Sequence, residues 1–213
     1  MSDKATLDVY AAKAADYATM TNYEDPQLSD FMATLGTGRV LDLGCGPGRA
    51  AGRMADAGFD VTAMDAVPEM VAMAARHPGV TAQLGTFDDI SGCFDGIWAN
   101  FSLLHAPRSD MPRHLAAIKS ALRAGGLFHI GMKLGTGTAR DSIGRLYTYY
   151  SEDELAGLLS DAGFTIDARA YGRVGCLDAR NGQWCGRQTA RVERRRSGHH
   201  QQPYGTAGRD QRA

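Results

Sequence analysis

Three alternating glycines and a downstream acid are the residues of this chain whose types and spacing point most directly to chemistry. Gly44, Gly46 and Gly48 follow a short apolar run at 40–43, and Asp65 lies 21 residues after the first glycine. Glycine adopts positive φ freely and lets a ligand approach the backbone, and an acid at the tip of the next strand can accept hydrogen bonds from a ribose diol. The pattern predicts a nucleoside-binding turn between a strand and a helix.

The charge beside this turn separates two classes of nucleoside cofactor. A dinucleotide fingerprint has the spacing G-x-G-x-x-G, whereas this chain has G-x-G-x-G, with Gly52 out of step. Asp42 lies two residues before Gly44, where its carboxylate would repel a pyrophosphate and attract an ammonium or a sulfonium. The residues therefore favour an adenosine that carries positive charge.

Two polar residues at the end of the predicted fourth strand, 94–100, are candidates for the reaction itself. Ligands of open α/β sheets gather at the carboxyl ends of the strands, which places Asn100 beside the cofactor. His105 follows one short turn later, where a second substrate would dock. Histidine titrates near neutrality and can act as a general base; packing beneath a loop is its alternative role.

The order of patterns along the chain predicts an α/β fold, a Rossmann-like, doubly wound and mostly parallel sheet with helices on both faces. Short apolar runs alternate with amphipathic stretches up to a sixth strand at 164–171. The connection at 90–94 is too short for a full crossover helix. No strand pattern appears beyond residue 172, so the last, seventh strand is expected to be missing or replaced.

Composition indicates a globular chain with one atypical end. The 213 residues are 44% apolar and 22% charged, which is typical of one soluble domain. Residues 1–172 carry 14 basic and 21 acidic side chains, whereas 173–213 carry nine arginines and three acids. The chain has no apolar run of spanning length, no signal-peptide pattern and no metal-ligand spacing among its four cysteines, so we expect a cytoplasmic protein without membrane or metal.

The segment VLDLGCGPG at 40–48 resembles the first motif of class I S-adenosylmethionine-dependent methyltransferases. Asp65 resembles the acid that this family places on the ribose, and the resemblance extends from about Tyr10 to about Tyr171. It implies S-adenosyl-L-methionine as the cofactor, covered by an N-terminal helical lid. The cofactor-binding residues that it implies are Tyr10, Tyr17, Asp42, Gly44, Cys45, Gly46, Gly48, Arg49, Asp65, Ala66, Met70, Thr86, Phe87, Asp88 and Asn100.

Some of these roles have structural alternatives. Tyr10 and Tyr17 would close on the methionine end of the cofactor or on the acceptor, or would simply pack on the sheet. By the resemblance, Phe87 flanks the adenine and Asp88 accepts from its amine, although a solvated turn equally explains Asp88. The catalytic candidates are His105 and Asn100.

The predicted domain covers residues 1–172, with 1–36 as the lid, and 173–213 are expected to form a disordered, arginine-rich tail. A reading-frame shift near residue 173 would produce such a tail. A nucleic-acid-binding arm is the functional alternative, because basic runs contact phosphates.

The predicted function is the transfer of a methyl group to a small-molecule acceptor by direct in-line displacement. Two alternatives stay open, an NAD(P)-dependent oxidoreductase on a Rossmann fold and a catalytically inactive relative that binds the cofactor. Amino-methylating DNA enzymes carry an Asn/Asp-Pro-Pro-aromatic signature after the fourth strand, whereas this chain has Asn-Phe-Ser-Leu at 100–103. Together with the acidic body, this makes nucleic acid an unlikely partner. The loop at 135–150 is expected to form either a wall of the acceptor site or a surface loop with core-facing tyrosines.

Overall fold

The computed structural model describes residues 3–20, 25–173 and 184–192. Its α-helices are α1 (Lys4–Ala12), α2 (Ala14–Met20), α3 (Pro26–Leu35), α4 (Arg49–Asp56), α5 (Pro68–Ala74), α6 (Met111–Ala121) and α7 (Glu152–Asp161). Its strands are β1 (Arg39–Leu43), β2 (Asp60–Asp65), β3 (Val80–Leu84), β4 (Phe94–Asn100), β5 (Leu122–Lys133), β6 (Thr138–Arg140), β7 (Leu146–Thr148), β8 (Phe164–Arg173) and β9 (Trp184–Val192). Among these residues no helix combines the length and the apolar character needed to cross a membrane.

The main sheet confirms the predicted doubly wound, Rossmann-like fold. Its strand order is β3-β2-β1-β4-β5-β9-β8, and the first five strands pair in parallel. From β1 the chain adds β2 and then β3 on one side, and it then crosses back to place β4 on the other side of β1. The boundary between β1 and β4 is therefore the switch point of the topology, where open α/β sheets bind their ligands.

The expectation that the seventh strand is missing is wrong, because β9 lies between β5 and β8. It pairs antiparallel with both neighbours along Trp184–Val192. The segment lacks an alternating apolar pattern, so sequence periodicity did not reveal it. In a sheet, main-chain hydrogen bonds to two neighbours can fix a strand whose own pattern is weak. Of the predicted tail, 174–183 and 193–213 lie outside the described residues.

Several element boundaries also differ from the sequence predictions. Residues 5–20 have the apolar spacing of one helix but form two, α1 and α2, separated at Lys13. Helix α6 ends at Ala121 and β5 begins at once, so Gly125 and Gly126, a pair typical of a helix end, lie inside the strand. At the start of α7, Ser151 and Glu154 form a capping box, with both reciprocal hydrogen bonds present.

The predicted loop at 135–150 contains a small hairpin, β6–β7, which fixes the position of the N-terminal helix. Asp3, the N-cap of α1, accepts two hydrogen bonds of 2.9 Å from the Arg140 guanidinium. The buried Thr6 hydroxyl accepts from the Leu146 amide at 2.8 Å. The hairpin therefore holds α1 beside the carboxyl ends of the parallel strands.

Candidate functional site

The glycine turn after β1 is shaped by positive φ and by a close approach to the chain that follows β4. Gly44 and Gly46 have φ values of 73° and 54°. The amides of Gly44 and Cys45 both donate to the Met64 carbonyl, at 2.8 and 3.0 Å, which folds the turn onto β2. A Cβ on Gly44 would lie 2.3 Å from Cβ of Ser102, so only glycine fits there.

Asp65 at the end of β2 faces this turn. Its carboxylate accepts from the Gly46 amide at 2.8 Å and from the Val67 amide at 3.0 Å. Burial raises its pKa, and these amide hydrogen bonds oppose the rise. The carboxylate oxygens retain lone pairs for two further donors, as a ribose diol would supply.

Asp42 lies beneath the turn, inside the protein. Its side chain is 3% exposed and accepts one hydrogen bond, from the Ala51 amide in the first turn of α4, at 3.1 Å. Burial raises the pKa of this carboxyl to about 7, and the nearby Asp65 charge adds to the rise. A buried carboxyl of this kind is stabilised in its charged form by a cation in the cavity above it.

The ligand-free protein is expected to lose stability between about pH 4 and pH 7 because of Asp42. Its carboxyl titrates near 3.8 when exposed and near 7 when folded, so in this window the native state binds more protons and the free energy of unfolding falls as the pH rises. Asp42→Asn removes this titration. Between pH 4 and pH 7 its free energy of unfolding should therefore fall by up to about 4 kcal/mol less than that of the wild type, at 1.36 kcal/mol per unit of pKa. Denaturant unfolding from pH 4 to pH 8 measures both proteins. The exposed Asp60→Asn should follow the wild type; identical curves for Asp42→Asn and the wild type would contradict the prediction.

Asn100 and Asp25 close the side of the site next to the switch point. The Asn100 amide nitrogen donates to the Asp25 carboxylate at 3.1 Å. Asp25 is also the N-cap of α3, where it accepts from the Gln27 amide at 3.0 Å. Phe101 has a φ of 58°, a backbone conformation that non-glycine residues adopt at a cost and that is enriched at functional sites.

His105 lies in the same wall and is linked to the N-terminal helix. A carbonyl can only accept, so the 2.7 Å contact between His105 Nδ1 and the Leu146 carbonyl fixes the proton on Nδ1. The Nε2 lone pair then accepts from the Tyr10 hydroxyl at 2.9 Å. Burial, together with the charges of Arg145 and Lys133, lowers the pKa of the imidazole to about 4. His105 is therefore neutral.

These residues surround a cavity of about 190 Å³ at the carboxyl ends of β1, β2 and β4. It brings together most of the residues predicted from the sequence, namely Tyr10, Tyr17, Asp42, Gly44, Cys45, Gly46, Arg49, Asp65, Ala66, Met70, Thr86, Phe87, Asn100 and His105. Burial raises the pKa of the Cys45 thiol, so this residue is a neutral part of the wall.

Gly48 and Asp88 do not line the cavity. Gly48 is the N-cap of α4, and a Cβ there would lie 2.6 Å from Cα of Ala74 in α5, so it permits two helices to pack. The Asp88 carboxylate is paired with the Arg113 guanidinium, which lowers its pKa, and lies 3.5 Å from Nδ1 of His114. Its neighbour Phe87 forms the cavity wall instead.

Other lining residues were not found from the sequence, and they include Thr6, Asp25, Leu28, Arg53, Trp98 and Ser102. Asp25 precedes Pro26, and this pair is a recognisable helix start. That signal predicts a cap; only the packing of α3 beside β4 shows that the same carboxylate faces a cavity.

Comparison with known proteins agrees with this geometry. A family model described as a methyltransferase domain matches residues 40–126. A ubiquinone biosynthesis O-methyltransferase of Xanthomonas euvesicatoria is 31% identical over 170 residues, which cover 67% of this chain and 70% of that protein. An uncharacterized methyltransferase of Mycobacterium tuberculosis is 39% identical over 66 residues, 30% of this chain but only 27% of that relative's length.

A solved structure extends the likeness to the whole fold. The 1,6-didemethyltoxoflavin-N1-methyltransferase of Burkholderia thailandensis, crystallised with 1,6-didemethyltoxoflavin and S-adenosylhomocysteine, superposes with a TM-score of 0.73. It is 29% identical, and the match covers 89% of this chain and 88% of that one. The glycine turn, the acids on either side of it and these relatives lead to one conclusion: the chain belongs to the class I S-adenosylmethionine-dependent methyltransferases.

Proposed function

We propose that the protein transfers a methyl group from S-adenosyl-L-methionine to a small-molecule acceptor. The observation that carries this proposal is the acidic, glycine-walled cavity, in which Asp65 faces the turn and Asp42 lies beneath it. The bound cofactor supplies a methyl group on a sulfonium, which already has a good leaving group. The protein then contributes proximity, alignment and exclusion of water, and no strict catalytic constellation is required.

The donor and acceptor groups of the cavity fit an adenosyl amino acid with a sulfonium. Asp65, Thr86 and Phe87 line the cavity, and in this proposal Asp65 binds the ribose and the wall formed by Thr86 and Phe87 binds the adenine. Nε of Arg49 is buried and has no hydrogen-bond partner in the part of the chain that the structure describes. A carboxylate in the cavity would satisfy this donor, and Asp42 would be neutralised by positive charge.

Asn100 and His105 are proposed to lie at the reacting end. Asn100 already donates to Asp25, and in this proposal it lies beside the methionine portion of the cofactor. His105 and Tyr10 line the cavity under α1, on the side where an acceptor would meet the methyl group. In this arrangement α1 and α2 are the lid expected from the resemblance.

The enclosure of the cavity supports a small acceptor. Helix α1 is fixed over it by Asp3 and Thr6, so a macromolecular substrate would have to displace a hydrogen-bonded element. The Xanthomonas and Burkholderia relatives are named for methylation of small molecules at oxygen and at nitrogen. An NAD(P)-dependent oxidoreductase is disfavoured because a pyrophosphate would lie against the buried Asp42.

Calorimetric titration with three ligands is expected to separate these functions. S-adenosylhomocysteine should bind most tightly, and 5′-methylthioadenosine at least about tenfold more weakly, because it lacks the carboxylate that Arg49 would meet in a charge-assisted hydrogen bond. NAD should not bind. Tighter binding of NAD than of S-adenosylhomocysteine would overturn the proposed function.

A further inference from the structure

Gly52, the glycine that lies out of step with the dinucleotide spacing, has a role outside the cavity. It lies inside α4, is buried and is not among the residues that line the cofactor cavity. Glycine is disfavoured in a helix interior, because it loses more backbone freedom on folding than alanine does. A Cβ at this position would lie 2.6 Å from Nδ1 of His77 and 3.0 Å from its Cγ. The glycine therefore leaves the space that the His77 ring occupies.

His77 is fixed in the connection between α5 and β3 and contacts the glycine turn with its side chain. Its amide donates to the Ala74 carbonyl at 3.1 Å, and its carbonyl accepts from the Val80 amide at 3.3 Å. The imidazole is partly buried, and its Nε2 lies 3.1 Å from the carbonyl oxygen of Pro47. A carbonyl can only accept, so Nε2 carries a proton and donates it to Pro47.

This hydrogen bond fixes one end of the peptide group between Pro47 and Gly48. The other end is fixed by the Gly48 amide, which donates to the Cys45 carbonyl at 3.0 Å. The Gly48 carbonyl then accepts from the Gly52 amide at 2.8 Å, within the first turn of α4. The orientation of the glycine turn and the start of the helix are thus coupled to His77, a side chain from a different part of the chain.

The residues on either side of Gly48 face the cofactor site. Pro47 and Arg49 both line the cavity, and Arg49 is the first residue of α4. None of the described residues accepts a hydrogen bond from the buried Nε of Arg49. The direction of a side chain is set by its backbone, and a binding group keeps its geometry only when supporting hydrogen bonds hold that backbone in place. A rotation of the peptide between Pro47 and Gly48 would therefore move Arg49 relative to the cavity.

We propose that His77 is a positioning residue for the cofactor. Through the Pro47 carbonyl it holds the start of α4, and with it Arg49, in the orientation that receives the carboxylate of the cofactor's amino-acid end. This rests on the proposed function. His77 does not line the cavity, so it acts through Pro47 and Arg49 and not by contact with the ligand. Its effect is therefore confined to the amino-acid end and does not extend to the adenosine.

The test is calorimetric titration of the full-length protein with S-adenosylhomocysteine and with 5′-methylthioadenosine, which lacks the carboxylate. His77→Met removes the ring donor, whereas His77→Gln has the same length and keeps an N–H. His77→Met is expected to weaken the binding of S-adenosylhomocysteine by about tenfold, the upper end of what one neutral hydrogen bond contributes, and that of 5′-methylthioadenosine by less than about twofold. His77→Gln should restore most of the affinity. A residue that only supported the fold would not distinguish the two ligands.

Gly52→Ala provides a second variant that acts on the same hydrogen bond. Its added Cβ displaces the His77 ring from Pro47, so it should weaken the binding of S-adenosylhomocysteine as His77→Met does. In the His77→Ala background no imidazole meets this Cβ, so Gly52→Ala should then leave the affinity unchanged. Arg76→Met alters an exposed neighbour of His77 and should leave the affinities for both ligands unchanged.

Each outcome decides the proposal. Equal weakening of both ligands by His77→Met, an unchanged affinity for S-adenosylhomocysteine in that variant, or a Gly52→Ala loss that persists without His77 would overturn it. Unfolding curves in denaturant verify that each variant is folded, and the Gly52→Ala comparison decides the proposal if His77→Met does not fold. Failure of the wild type to bind S-adenosylhomocysteine would instead contradict the proposed function, so the two failures are distinguishable.

Discussion

Replacing Asp65 with alanine is expected to weaken the binding of S-adenosylhomocysteine by about 100-fold or more. In the proposed function this carboxylate accepts from both ribose hydroxyls, and a hydrogen bond to a charged group contributes about 1.5–3 kcal/mol. A 100-fold loss corresponds to about 2.7 kcal/mol, so one such bond is nearly sufficient. Asp65 also accepts from the amides of Gly46 and Val67, so its removal loosens the turn as well. Isothermal titration calorimetry measures the change.

Two controls separate the ribose contact from the support of the turn. Asp60→Ala removes an exposed carboxylate at the other end of β2 and should leave the affinity unchanged. An S-adenosylhomocysteine analogue that lacks the 2′-hydroxyl should bind more weakly than the parent to the wild type, but equally well to Asp65→Ala, because the cycle isolates the pairwise interaction. An equal penalty for the analogue in both proteins would show that Asp65 does not contact the ribose.

Gly48→Ala is expected to destabilise the fold by about 3 kcal/mol or more. A left-handed backbone costs a non-glycine residue about 1–2 kcal/mol, and Gly48 has a φ of 80°. The added Cβ would also lie 2.6 Å from both Cα and Cβ of Ala74, which forces α4 and α5 apart at a further cost of about 1–3 kcal/mol. Denaturant unfolding measures the loss.

Gly58→Ala is the matched control, because Gly58 has a similar positive φ without the close contact. Its φ is 87°, and nothing lies within 4 Å of the Cβ that alanine would add. It should therefore lose only the conformational part, about 1–2 kcal/mol. Equal losses for the two variants would refute the assignment of Gly48 to helix packing and return it to the candidates for direct contact with the cofactor.

The sequence predicted the centre of the fold more accurately than its margins. Strands β1 and β4 and the glycine turn have strong local signals, namely buried apolar runs and glycines at positions of positive φ. Strand β9 has no such signal, because its place is fixed by main-chain pairing with β5 and β8 rather than by its own side-chain pattern. Sequence periodicity records burial, and it does not record pairing partners.

The sequence alone therefore determined the glycine turn and the positions of Asp42 and Asp65 beside it, because each depends on residues close together in the chain or on adjacent strands. The packing of distant segments decided the rest. The Asp25–Asn100 contact joins residues 75 positions apart, and Arg145 reaches Tyr10 across 135 positions. Gly48 and Asp88 do not line the cavity for a similar reason. In the folded chain Gly48 packs against Ala74, and Asp88 pairs with Arg113. Electrostatic energy depends on distance in space and on burial, and both exist only once the chain has folded.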